Sequence, residues 1–216
     1  MVDWWSRGSR EQEVNEMKGL YFKPWKGTNY ESARLLILSE SAYSWVENGE
    51  RVDPPPSHPT STVRHLGIKY FGGNKYFRDL GRALCGKESP TRSELEKAWN
   101  DCAYSIFVQG TVGLSAKSRP TKTQFDEAGL PFLELLEKIR PLKVVLTGKM
   151  TWNHLPPFHG PHLCEDLQAC KLSDGSLVWG LAVPHPGNRQ KGEGFVWERV
   201  AGALRAFRAA TFPVKL

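Results

Sequence analysis

The sequence predicts an α/β fold, a three-layer α/β/α sandwich around a central, mainly parallel sheet of four strands. Two observations carry that expectation. Residues 34–43, 103–109, 143–146 and 177–183 each contain an apolar run without alternation, as strands buried on both faces do, and each run breaks abruptly into small or polar residues. Between them lie segments with helical periodicity, so strands and helices alternate along the chain. Parallel strands gather their carboxyl ends on one edge, where open α/β sheets bind ligands. That edge would hold Glu40, Ser41, Tyr43, Gln109, Lys149, Thr151, His185, Asn188 and Arg189.

A chain of 216 residues with eight Trp, ten Phe and six Tyr can bury one sizeable core, and a single domain over residues 1–216 is expected. Its first 30 residues, rich in aromatics from Trp4 and Trp5 to Trp25, read as an extension docked on that core. After the first strand, residues 45–62 contain Pro54, Pro55, Pro56 and Pro59, which fit neither a helix interior nor a central strand and point to a long loop leaving the edge. Residues 62–84 read as helical stretches separated by Gly72 and Gly73, with Tyr76, Phe77, Leu80 and Leu84 assigned to the core. Ser89, Thr91 and the acidic residues that follow signal a helix start, with the end near Trp99. A basic, Gly-rich and Ser-rich loop at 111–119 leads into an amphipathic helix over 121–140, interrupted at Pro131 and stopped by Pro141. Residues 152–170 read as irregular, and a last helix over 195–209 packs Val196, Val200, Leu204 and Phe207 inward.

The formal charge of +6 and a pI near 9.2 favour a polyanionic partner. Cys85, Cys102, Cys164 and Cys170 fit no common zinc or iron–sulfur spacing and read as free thiols. The histidines His154, His159 and His162 do not fall at metal-ligand spacings either, and no metal is expected. Neither a GxxxxGK[ST] loop nor a GxGxxG after the first strand is present, so no nucleotide cofactor is expected. No segment has the order of a secretory signal, and no apolar run approaches the ~18 residues of a membrane span. A cytoplasmic monomer with no membrane partner is the expectation.

Ser39-Glu-Ser-Ala-Tyr43 after the first strand and His185-Pro-Gly-Asn188 after the last resemble the two motifs of the uracil-DNA glycosylase superfamily. There the first motif is often Gly-Gln-Asp-Pro-Tyr-His, Gly-Glu-Ala-Pro-Gly or Gly-Glu-Ser-His-Tyr, and the second His-Pro-Ser-Pro or a variant. The segments around Trp99 to Gln109, Arg119-Pro-Thr121, and Pro141 to Pro156 are similar to connecting segments of some members, so the resemblance covers roughly residues 34–207. The chain departs from the pattern with Ser39 in place of Gly, Ser41 in place of the activating Asp or Asn, Ala42 in place of Pro or His, and Gly187 in place of Ser. The asparagine usual after the second strand is not evident between Ile106 and Gln109.

The resemblance implies an enzyme that flips a base out of DNA and hydrolyses its N-glycosidic bond. That reaction generates an oxocarbenium-like sugar and an anionic base, so it needs negative charge near C1′, a donor at the departing base and a placed water. Glu40, directly or with Ser41, is expected to orient water or stabilise the cation, and His185 to neutralise the base. Ser39, Ala42, Tyr43, Gln109 and Asn188 are expected to contact the base. Lys149, Thr151, Arg189, Lys191 and Arg119 are expected on single- or double-stranded DNA, chiefly at phosphates. With no lysine inside either motif, the enzyme is expected to be monofunctional. The small residues Ser39, Ala42 and Gly187 leave volume for a bulky modified pyrimidine such as the glucosylated hydroxymethylcytosine of phage DNA, an antiviral role. The alternatives are uracil repair and a catalytically silent DNA-binding member.

Overall fold

The computed structural model describes residues 19–115, 118–156, 160–187 and 194–215. Trp4 and Trp5 lie outside them. The chain is built on nine strands among these residues: β1 Trp25–Lys26, β2 Leu35–Ser39, β3 Trp45–Glu47, β4 Glu50–Val52, β5 Cys102–Ile106, β6 Lys143–Thr147, β7 His162–Cys164, β8 Leu167–Lys171 and β9 Leu177–Val183. Seven form one sheet in the order β1-β5-β2-β6-β9-β8-β7.

The four strands expected from sequence lie together at its centre, β5, β2, β6 and β9, and every pair among neighbours is parallel. A four-stranded sheet is nonetheless a correction to make, because β1 joins β5 and the β7–β8 pair joins β9, all antiparallel. The added strands escaped sequence reading for a physical reason. β1 has two residues, β7 is exposed throughout, and β8 buries only Ala169 and Cys170, so none shows the apolar run of a central strand.

Along β2, side chains alternate between two cores. Leu35 and Ile37 pack with Leu80, Leu95 and Leu204, whereas Leu36 and Leu38 pack with Phe125, Phe132 and Leu136. Both faces of the sheet are therefore covered by helices, giving three layers. The first face carries α3 Lys75–Cys85, α4 Arg92–Asn100 and α8 Trp197–Ala209; the second carries α5 Lys122–Glu127 and α6 Gly129–Ile139. Short helices α1 Tyr30–Ala33, α2 His58–Thr62 and α7 Lys149–Asn153 complete the set, and α2 runs directly into a π-helical segment, Val63–Lys69.

Local chemistry sets the helix ends. Thr91 with Glu94 and Thr121 with Gln124 form reciprocal capping boxes, and Asn74 accepts the Phe77 amide at the start of α3. The break between α5 and α6 falls at Ala128, which puts Pro131 in the first turn of α6, where its missing amide costs no helical bond. Residues 45–62 are not one long loop. β3 and β4 form a hairpin around Asn48 and Gly49, whose φ values of 52° and 83° make the turn that matches strand twist, and α2 follows the prolines.

The chain leaves β2 for β5 on one side and then returns past β2 to β6 on the other. Between β2 and β6 the direction of winding reverses, which in such sheets opens a crevice at the carboxyl ends. Among the described residues no helix is long and apolar enough to cross a membrane.

Candidate active site

Beyond β2 the ladder to β5 continues for two more bonds, from the Phe107 and Val108 amides to the Ser39 and Glu40 carbonyls at 2.9 and 3.0 Å. A second pair, Val112 to the Ala42 carbonyl and Ser44 to the Gly113 carbonyl, holds the far end of the same turn. Fixed at both ends, Ser39 to Tyr43 line one wall of a cleft of about 480 Å³. His58, Thr62, Leu66, Asn74, Lys75, Tyr76, Tyr104, Arg119, His185 and Gly187 are among the residues of the remaining walls.

Glu40 is buried, 4% exposed, and its Oε1 lies 3.2 Å from Nη1 of Arg119, which is itself largely open to solvent. A buried carboxylate needs such a partner to offset the loss of water. Two hydroxyl chains underlie it. Tyr104 donates to Ser39 Oγ at 2.9 Å, and Ser39 donates to the Ser105 carbonyl at 3.3 Å. Thr147 Oγ1 spends its proton on the Leu38 carbonyl at 3.1 Å, so in its 2.7 Å contact with Tyr76 the tyrosine donates. Burial raises the Tyr76 hydroxyl well above its ordinary pKa and keeps it protonated. Ser41 Oγ is buried and has no hydrogen-bond partner among the described residues.

The protonation state of His185 follows from its contacts. The Gly187 amide donates to Nδ1 at 3.0 Å, so Nδ1 carries a lone pair and the proton of the neutral ring sits on Nε2. Burial, and then the charges of Arg119 and Lys75, push the imidazole down to a pKa of about 4. At neutral pH His185 is an uncharged Nε2–H donor beside the cleft. Glycine at 187 matters here, because a Cβ would stand 3.0 Å from Nδ1 and 3.1 Å from Cε1. The depressed pKa predicts a stability effect: as pH falls from about 6.5 toward 4, the unfolded chain takes up a proton that folded His185 refuses, and stability declines. Denaturant midpoints across that range should drop more for the wild type than for His185→Gln.

The loop bearing His185 is tied down from α3. Lys75 Nζ reaches the Pro186 carbonyl and Asp79 Oδ2, both at 2.6 Å. Asp79 also takes Arg78 Nε at 3.1 Å; although burial raises its pKa, these hydrogen bonds and charges outweigh it and the carboxylate is held below its usual range. Sequence reasoning placed Tyr76 in the core and gave Lys75 no role. Both line the cleft, and Tyr76 packs against the core as well.

Other expected site residues fall elsewhere. Gln109 is spent on backbone, accepting from the Phe22 amide at 2.8 Å and donating to the Ile106 and Phe107 carbonyls, and it does not line the cleft. Thr151 is fully buried in α7 and presents nothing to a phosphate. Lys149 is exposed, 3.8 Å from Glu165. Arg119, expected at a phosphate, meets Glu40 instead. Asn188, Arg189 and Lys191 lie outside the described residues, as does His159. His154 stacks on Phe125, and among the described residues no three His, Cys, Asp or Glu side chains come together as a metal site would require. Cys85, Cys102, Cys164 and Cys170 are unpaired thiols. Comparison of the chain with protein-family models and with curated proteins returns no match.

Proposed function

We propose that the chain is a monofunctional DNA glycosylase, similar in kind to the uracil-DNA glycosylase superfamily, that flips out a base and hydrolyses its N-glycosidic bond. One observation carries the reading: a buried carboxylate, Glu40, and a neutral imidazole donor, His185, face one cleft at the sheet's winding reversal. In the reaction the bond from C1′ to the base nitrogen breaks and its electron pair leaves with the base. His185 Nε2–H hydrogen-bonds the oxygen on which that charge gathers, with no proton transfer required. Glu40 faces the cationic sugar and accepts a proton from the attacking water. Tyr43 and Tyr76 provide aromatic surface for the flipped base.

Hydrolysis rather than lyase chemistry fits Lys75, the one lysine that lines the cleft among the described residues. Its ammonium is engaged by Asp79 and the Pro186 carbonyl, whereas a Schiff base requires a free amine.

The proposed substrate is a pyrimidine enlarged at the ring, such as glucosylated hydroxymethylcytosine, in an antiviral setting. The cleft, about 480 Å³ and open to solvent on one side, leaves room for substituents on the ring. Ala42, 3% exposed and on the cleft wall, supplies part of that volume. Incubation with DNAs bearing uracil or bulky modified cytosines, followed by alkaline cleavage of abasic sites, tests substrate choice. Ala42→Phe, checked for folding beside the milder Ala42→Val, is expected to abolish excision of the bulky base first. Faster cutting of uracil, with both substrates equally affected, would point to uracil repair instead.

A further inference from the structure

From His58 to Arg78 the chain carries Arg64, Lys69, Lys75 and Arg78 and no Asp or Glu. Lys75 and Arg78 are engaged by Asp79, but neither Arg64 nor Lys69 meets a carboxylate among the described residues. The π-helical segment Val63–Lys69 displays both. Its inner side is seated on the core at Gly67, where a Cβ would stand 2.9 Å from Nε1 of Trp99, so the segment cannot turn over. Its outer side shows Arg64, His65 and Lys69 to solvent, followed by Tyr70, which is 54% exposed. Tyr70 is held in place: its amide donates to the His65 carbonyl at 2.7 Å, its ring lies 21° from that of His65, and Lys69 Nζ sits 4.9 Å from the ring centre. The same stretch reaches the cleft through Thr62, Leu66, Asn74 and Lys75. Segments with π-helical bonding occur often at functional sites.

We propose that this surface, from Arg64 to the turn at Gly72 and Gly73, is a platform for single-stranded DNA, with Tyr70 stacking a base beside the one held in the cleft. The inference rests on the glycosylase reading above and names its preferred form of substrate. Proteins that hold single strands combine positive charge along the backbone path with exposed aromatic rings that stack bases. A duplex keeps its bases stacked on each other and leaves none for Tyr70, whereas a single strand offers one at no unpairing cost. Arg64 and Lys69 then take phosphates on either side of the stacked base.

Fluorescence anisotropy with a short labelled oligonucleotide of ordinary bases, as single strand and as duplex, tests this without any excision. Tyr70→Ala is expected to weaken single-strand binding about tenfold and duplex binding far less, and Tyr70→Phe to bind as the wild type does. Lys69→Ala is expected to reduce the single-strand salt slope by about 0.7. Circular dichroism checks that each variant is folded. A wild type that binds the strand, with Tyr70→Ala unchanged or with equal losses on both forms, overturns the platform and leaves the glycosylase reading standing. A wild type that binds neither form overturns both.

Discussion

Replacing His185 by alanine is expected to lower single-turnover base release by ~10²-fold or more, the cost of losing a placed donor, while DNA affinity changes little. The expectation rests on where the proton is. The Gly187 amide occupies Nδ1 from the donor side, leaving Nε2–H as the ring's one donor at neutral pH. Its neutrality, enforced by burial and by Arg119 and Lys75, keeps a cation from competing for the phosphates while still supplying a hydrogen bond to the departing anion. His185→Gln retains a donor at a different reach and should recover part of the rate. An unaltered rate in His185→Ala removes the residue from the chemistry.

Glu40→Gln is expected to slow the same step by ~10²- to 10⁴-fold, the range for losing a positioned base. The amide keeps the size and packing of the side chain, so the change isolates its charge. Removing a buried negative charge from a DNA-facing cleft also frees Arg119, its 3.2 Å partner, for a phosphate. Slower excision should therefore accompany equal or tighter DNA binding. Loss of thermal stability with an unchanged rate would instead make Glu40 a structural partner of Arg119.

Both residues were legible in the sequence because each lies within two residues of the end of a strand buried on both faces, and an apolar run ending in polar residues marks the carboxyl edge wherever it occurs. β2, β5, β6 and β9 were legible for the same reason. Lys75 was not, since it enters the cleft from the first turn of a helix, where nothing in local spacing points to a loop more than a hundred residues away. Tyr76 does pack against the core, as its helical spacing with Phe77 and Leu80 suggested, and its place on the cleft wall is what that spacing did not show. One residue along a helix turns about 100°, from 3.6 residues per turn, enough to place Phe77 in the core and the Tyr76 hydroxyl on Thr147. Gln109 misled in the opposite sense. A polar residue past a strand end resembles a ligand contact, yet here it satisfies the backbone of Phe22 and so fastens the N-terminal segment. The hairpin at Asn48 and Gly49 carried a readable turn signal, overshadowed by the prolines just after it.

Release of a base from DNA in this cleft is the central claim. The most direct measurement is a single-turnover incubation of the protein with oligonucleotides carrying glucosylated hydroxymethylcytosine or uracil, with free base detected by mass spectrometry and strand integrity followed on a gel. The free modified base is expected to appear in step with abasic sites, the strand to stay intact until alkali is added, and Glu40→Gln to suppress both signals. Absence of free base from every DNA, or strand cleavage without base release, would contradict that claim.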